Sequence, residues 1–595
     1  MSKFQSKSKI ASVFKRFLGD SSGQLTAMMG LSVIPILFTA GAAIDFARVT
    51  REQAAFYSAV DAAALAVAAD DRSSLVGLST ADQKETRRVE LQNYAKLFLE
   101  KNYIDASGGK SVRTVDLTFD DLQVKIAATL DFPTTIMALT GVTKFTLKSN
   151  ATVKKAARPV ELVLVMDTTG SMNTNSKLVD AQKAAKDLLA KLYDGTLAAK
   201  PNNVDLRVAL VPFSGAVRLD TTGNDFDLAW IDTGGASAYS KLNLNAVSGT
   251  PATWNNYYAW SQLKSSATLN QTWNGCVEAR ANSTIAATAY NVNDVAPSGS
   301  NAATLFPAYF NPDVPGNAAT ANSYGISYIG GTSLTAAGSE CKGLASAAVC
   351  SSTAASDLYL RQENYNKYIG TNIGTPPVAA TMTTDISQSY YYGPWGGCAV
   401  SKVVPMTHDR GKVEAGLDAM RAHGITVIPE GLAWGWRAIS PTAPLTKVEG
   451  AGAIPATTIS PYKDPKWQKI IVLMTDGDNN VNGGSYSPIN TSRYSAYGYA
   501  SESGANNRFG TTVGSDTDAK LDGYMATLCA NIKKEGIQLY IASFGDDVSA
   551  GTQANLKSCA STGDEYYKHA STPAILTSFF GGIGKTINKS IYVSN

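Results

Sequence analysis

Residues Val160–Met172 read Val-Glu-Leu-Val-Leu-Val-Met-Asp-Thr-Thr-Gly-Ser-Met, a nearly unbroken apolar run that stops at an acid and then gathers hydroxyls. Such a run specifies a strand buried on both faces, the environment of a parallel sheet covered by helices. Asp167, Thr169 and Ser171 stand at alternate positions just past its apolar part. That is the crevice in which open α/β sheets bind ligands. Hard oxygen donors gathered there suit Mg2+, or Mn2+ or Ca2+ in its place.

The downstream pattern supplies the rest of such a sheet. Lys177–Leu192 places Leu178, Ala181, Ala185, Leu188, Leu189 and Leu192 at helical spacing, and Asp205–Pro212 is the next strand. This strand–helix–strand order is that of a doubly wound, Rossmann-like α/β domain. After a long break the pattern resumes with a helix over Asp409–Met420, then Gly424-Ile425-Thr426 and a helix beginning at Pro429. Lys469–Met474 is a second buried strand, and it ends in Thr475-Asp476-Gly477. A helix over Asp522–Glu535, a strand over Ile537–Phe544, a helix over Ala550–Cys559, a short strand over Tyr566–Lys568 and a helix over Thr572–Ile591 complete the chain.

The run Asp167-Thr168-Thr169-Gly170-Ser171 resembles the metal-ion-dependent adhesion site of von Willebrand factor A (VWA) domains, Asp-x-Ser-x-Ser, with Thr169 for the first serine. The resemblance implies that Thr426 of Gly-x-Thr supplies a third hydroxyl and that Asp476 completes the site. The expected metal set is therefore Asp167, Thr169, Ser171, Thr426 and Asp476.

Residues 1–24 are basic, carrying Lys3, Lys7, Lys9, Lys15 and Arg16 against Asp20. Leu25–Ile44 has no charge and matches the ~20 residues a helix needs to cross a bilayer. The basic flank predicts a single-pass span with a cytoplasmic N-terminus and everything after Asp45 outside. A signal peptide cleaved near Ala40-Gly41-Ala42 is the competing reading, but the apolar span exceeds the usual h-region of ~7–15 residues. Asp45–Ala69 is rich in helix formers. Its Gly-Ala-Ala-Ile-Asp-Phe-Ala-Arg and Ala-Val-Asp-Ala-Ala-Ala-Leu-Ala runs resemble the N-terminal segment of TadG-like Tad/Flp pilus-assembly proteins. The Gly-Leu-Ala-Trp-Gly-Trp-Arg run at 431–437, followed by Ser440-Pro441, shares that resemblance. Pilin relatives carry Glu five residues after the processing glycine, where this chain has Met28 after Gly23; the resemblance therefore implies no processing as a pilin. Helical spacing over 82–103 and alternation over 112–119, 122–132 and 143–153 predict a small α+β module without chemistry of its own.

The expected organisation is a cytoplasmic segment (1–24), a transmembrane helix (25–44), the TadG-like helix and α+β module (45–157), a first VWA part (158–218), an irregular insertion (219–400) and a second VWA part (401–595). Six cysteines with no Cys-x-x-Cys pair, all beyond the span, point to disulfides in an oxidising compartment. Cys529 and Cys559, in neighbouring α/β units, are the expected pair. Cys276, Cys341, Cys350 and Cys398 lie in the insertion with their pairing open. The insertion's aromatics, among them Trp254, Trp260, Trp273 and Trp395, are expected to pack it, with binding of glycan or protein the alternative. Residues 486–518 read as a polar loop over the metal face.

A net charge of +3 gives no reason to expect nucleic acid. Asp476-Gly477-Asp478-Asn479-Asn480 begins like a calcium loop but has Val481 and Ser487 where Gly and Glu belong. Gly584-Lys585-Thr586 lacks the first glycine of a phosphate loop. No nucleophile motif is evident, so no enzyme is expected. The resemblances imply an inner-membrane protein with a periplasmic VWA domain. It would bind a pilus-assembly or envelope protein through a divalent cation and an acidic partner residue. The alternative is a structural anchor whose metal site is vestigial or only stabilising.

Overall fold

The computed structural model describes residues 24–73, 80–103, 111–119, 123–154, 159–193, 206–223, 225–242, 244, 253–265, 271–281, 289–314, 328, 341, 344, 347–352, 354–369, 393–442, 444–482, 490, 492–500, 508–509, 514–588 and 592–593. The basic segment 1–23 and most of 315–392 therefore lie outside the described residues. The chain divides into two compact units, Met1–Ala157 with Lys589–Asn595, and Arg158–Asn588.

In the first unit α1, Gln24–Ala69, is one helix that runs through Pro35. It is the one helix among the described residues long and apolar enough to cross a membrane. Met28, Leu31, Ile34 and Leu37 are exposed on its N-terminal half, whereas Phe56, Val60, Ala63, Ala64 and Val67 of the C-terminal half are buried. Helix α2, Ala81–Asn102, opens on a capping box in which Thr80 and Gln83 satisfy each other's backbone N–H groups. Strands β1 (Ser111–Phe119), β2 (Gln123–Pro133) and β3 (Lys144–Lys154) form an antiparallel meander. Val124, Ile126, Ala128 and Leu130 of β2 alternate inward and share one core with α1 and α2. Tyr592–Val593 pairs with β3, so the expected closing helix stops at Asn588 and the chain returns to this sheet.

The second unit contains β4 (Val160–Asp167), α3 (Lys177–Tyr193), β5 (Leu206–Phe213), β6 (Val404–Thr407), α4 (Arg410–Asp418), α5 (Ile428–Arg437) and β7 (Gln468–Thr475). It continues with α6 (Gly514–Lys534), β8 (Gln538–Phe544), α7 (Ala550–Cys559), β9 (Tyr567–Ala570) and α8 (Pro573–Asn588). The sheet order is β9-β8-β7-β4-β5-β6, parallel from β9 to β5, with β6 antiparallel at the edge. Every residue of β4 and β5 is buried, as their apolar runs require. The chain winds outward from β4 in both directions, so the topological switch lies between β4 and β7. This is the doubly wound α/β domain with an insertion that the sequence implies. Helix α5 is buried along its whole length because two glycines let it close on the sheet. A Cβ at Gly431 would meet Phe213 at 2.4 Å, and one at Gly435 would meet Val165 at 2.4 Å.

The described part of the insertion belongs to the core of this unit. Leu219, Trp260, Phe306 and Phe310 share a cluster with Val165, Phe213 and Trp434. Trp260 stacks on Trp395 at 5.5 Å, and Phe306 meets Trp434 at 4.8 Å. Disulfides join Cys276 to Cys398, Cys341 to Cys350 and Cys529 to Cys559. The polar loop expected over 486–518 differs in its described part: Tyr494, Tyr497 and Tyr499 are buried against the insertion. Phenol rings with their hydroxyls bonded, as Tyr499 is to Asn311, behave as core residues.

Candidate metal centre

Register brings the two acids together. Met474 stands opposite Met166 on the neighbouring parallel strand, which places Thr475 beside Asp167 and Asp476 one step beyond. Both carboxylates are fully buried at the strand ends. Asp167 accepts the backbone N–H of Thr169 at 2.7 Å and the hydroxyl of Thr475 at 2.6 Å. Thr169 and Ser171 hold their hydroxyl oxygens 3.0 Å apart, and Ser171 donates to Asp476 at 2.7 Å. Thr426 arrives from the third segment, whose backbone is fastened by the His423 N–H on the Thr168 carbonyl at 2.6 Å and the Gly170 N–H on the Gly424 carbonyl at 3.1 Å. Gly477 lies beside Thr426 and Ser171: a Cβ there would stand 3.6 Å from the Thr426 hydroxyl oxygen and 3.8 Å from that of Ser171, ordinary contact distances. All five expected metal residues are thus gathered in one crevice.

The two buried carboxylates act on each other. Burial, and then the Asp476 carboxylate, push the Asp167 carboxyl up to about 7. Two acids, three hydroxyls and no nitrogen or sulfur donor form a set matched to Mg2+, Mn2+ or Ca2+. Among the described residues no group of three or more His, Cys, Asp or Glu side chains is placed to hold a metal ion.

The reading of the sequence left out two contributors. Thr475 orients Asp167 through its hydroxyl. Lys177, the first residue of α3, reaches both Asp476 and Asp547 at 2.9 Å. Burial works against this ammonium, but the hydrogen bonds to Asp547 and Asp476 hold its pKa above the ordinary value. A lysine in a first helical turn opposes the helix dipole, and that misplacement was the available signal of an acidic partner. Lys177 is a built-in counter-cation for Asp476, whose two oxygens it occupies jointly with Ser171.

Burial also lowers the pKa of the His423 imidazole to about 4. Below about pH 6.5 the unfolded chain binds a proton at His423 that the folded chain refuses until about pH 4. Its contribution to stability is complete above pH 6.5 and is lost as pH falls, by at most about 3 kcal/mol. Urea unfolding at pH 7.5 and 4.5 should therefore show a steeper loss for the native chain than for His423→Gln. Equal slopes would refute the assignment.

Comparison with known proteins adds context at the N-terminus. Residues 23–70 match the model of the Tad family, "Putative Flp pilus-assembly TadE/G-like". No curated protein matches the chain. Among solved structures, the pilus adhesin SpaC from Lactobacillus rhamnosus GG is 10% identical with a TM-score of 0.28, over 82% of this chain and 35% of SpaC, so the chain spans about a third of that protein. The PilB minor pilin from Streptococcus sanguinis is 11% identical with a TM-score of 0.29, over 81% of this chain and 79% of PilB. The vWF domain of the type V pili tip protein Mfa5 from Porphyromonas gingivalis is 10% identical with a TM-score of 0.28, over 74% of this chain and 98% of that domain.

Proposed function

We propose that this is a membrane-anchored, extracytoplasmic VWA protein of Tad/Flp pilus assembly or surface attachment, which binds a protein partner through a divalent cation. The observation that supports it most is the convergence of Asp167, Thr169, Ser171, Thr426 and Asp476, from three chain segments, on one strand-end crevice. These residues would hold Mg2+ directly or through water, and a bound ion supplies a coordination place for a carboxylate of the partner. Asp167 and Thr169 are set by Thr475 and by the loop backbone. Asp476, engaged by Ser171 and Lys177, would contribute through water or after Lys177 turns wholly to Asp547.

The membrane part of the reading draws on α1 and on the match over residues 23–70. Three disulfides suit an oxidising compartment outside the inner membrane, with the N-terminus cytoplasmic. The reading is one of binding without turnover. A hydrolase panel showing activity lost in Asp476→Ala would replace it.

The test is a chromosomal Asp167→Asn exchange at equal protein level. Loss of pili or of surface attachment, matched by chelation of the native cells, is the expected result. Normal piliation and attachment would favour the structural anchor, in which the domain only packs against the machinery.

A further inference from the structure

The turn joining β2 to β3 carries apolar side chains into solvent at the place where α1 stops being apolar. From Phe132 to Thr143 the sequence Phe-Pro-Thr-Thr-Ile-Met-Ala-Leu-Thr-Gly-Val-Thr has no charge. Leu139 is 77% exposed and Val142 38%, while Ile136 and Met137 are half-buried. Isolated exposed leucines are ordinary, but this tip is continuous with a second apolar surface. A Cβ at Gly41 would stand 2.3 Å from Ile136, so the tip lies flush against α1 within its exposed apolar stretch, between Phe38 and the exposed Ile44 and Phe46.

The first charge of α1 is spent on holding the tip. Asp45, 1% exposed, accepts the backbone N–H groups of Met137 at 2.8 Å, Ile136 at 2.7 Å and Thr135 at 3.2 Å. Arg48 bonds the Thr135 hydroxyl and lies 5.5 Å from the Phe132 ring. Lys144 pairs with Asp131 at 2.6 Å and is 55% exposed. Charges therefore begin just behind the tip, on the side away from the apolar run. This layering, apolar residues and then cationic side chains with long stems, is that of a surface resting at the boundary between acyl chains and headgroups.

We propose that the turn Thr134–Thr143 is a second membrane contact, with Met137, Leu139 and Val142 entering the phospholipid interface beside Gly41. The occupant is the bilayer surface because the tip continues the exposed apolar face of α1. The proposal rests on the reading of α1 as a membrane span. Its consequence is a fixed depth and orientation for the first unit: a rigid hairpin and a helix touch the bilayer at two points, where one helix alone would swivel.

All six cysteines are in disulfides, so an introduced cysteine is a unique thiol. The full chain is reconstituted in phosphatidylcholine–phosphatidylglycerol vesicles with an environment-sensitive fluorophore on Leu139→Cys, Leu31→Cys or Thr118→Cys. Thr118 is exposed near the opposite end of β1. Acyl-chain spin labels should quench Leu31→Cys and Leu139→Cys several-fold more than Thr118→Cys. Adding Met137→Glu and Val142→Glu should abolish quenching at 139 and spare it at 31. Quenching at 31 without 139 would overturn the tip contact and leave the anchor standing. Quenching at neither would overturn both.

Discussion

Asp167→Asn is expected to lower Mg2+ affinity by more than about 100-fold, beyond the 10–100-fold that outer-shell changes cost in metal sites, while leaving the fold in place. Asparagine keeps an oxygen for the Thr169 N–H and removes the charge that Asp476 repels. The metal-free variant should therefore be at least as stable as the native chain at pH 8. The sign follows from linkage. Asp167 binds a proton in the folded chain up to about pH 7, far above its value in the unfolded chain. Between those limits the folded state holds more protons, so the metal-free native chain loses stability as pH rises, of order 1 kcal/mol per unit. Asp167→Asn flattens that slope.

A bound ion must displace the same proton, so native affinity should fall as pH drops below about 7. Calorimetry of the full chain in detergent, with and without the substitution, reads affinity and proton release together. Saturating Mg2+ should raise the unfolding free energy of the native chain by mass action, about 2.7 kcal/mol at a hundredfold excess over Kd, and that of the variant at the same concentration by less than about 0.5 kcal/mol. Equal binding by both chains would remove Asp167 from the site.

What could be read in advance follows a physical rule. Strands β4 and β7 announce themselves because burial on both faces demands a continuous apolar run, and an acid closing such a run has few structural uses. Strand β6 is different. Val404-Pro405-Met406-Thr407 contains a proline, which demotes a segment to non-strand or edge, and it is the edge where the missing N–H does no harm. Residues 219–400 lack periodicity, because loops packed by Trp260, Phe306 and Tyr309 are ordered by ring contacts and bonds to backbone carbonyls, which leave no repeat. Lys177 and Glu161 escape for a third reason. Their partners lie hundreds of positions away, so even where the helix dipole marks Lys177 as misplaced, nothing local says which charge it meets.

Glu161→Ala is expected to cost the second unit about 3–5 kcal/mol, the range for removing one partner of a buried ion pair. Glu161 interrupts the apolar run of β4 and is fully buried. Register places Arg207 beside it on β5 and Lys469 beside it on β7. One carboxylate oxygen takes Arg207 at 2.9 Å and the Ser460 N–H at 2.8 Å; the other takes the Lys469 ammonium and the Ser460 hydroxyl. Removal takes the shared carboxylate from two buried cations. Lys469 retains the Ile439 carbonyl and the influence of Asp464, and Arg207 retains the Thr458 carbonyl and the Trp467 ring among its contacts. Combining Glu161→Leu, Arg207→Met and Lys469→Met in one chain should recover most of the loss, because apolar packing does without the desolvation of ions. Urea midpoints for the native, single and triple variants decide it. A single-variant loss below about 1 kcal/mol would mean the triad is not what joins the three strands at that end. Glu161 lies six extended residues, about 20 Å, from Asp167, so the folded fraction of each variant should bind metal as the native chain does. The two ends of β4 are then separable by measurement: one locks the sheet, the other presents the crevice.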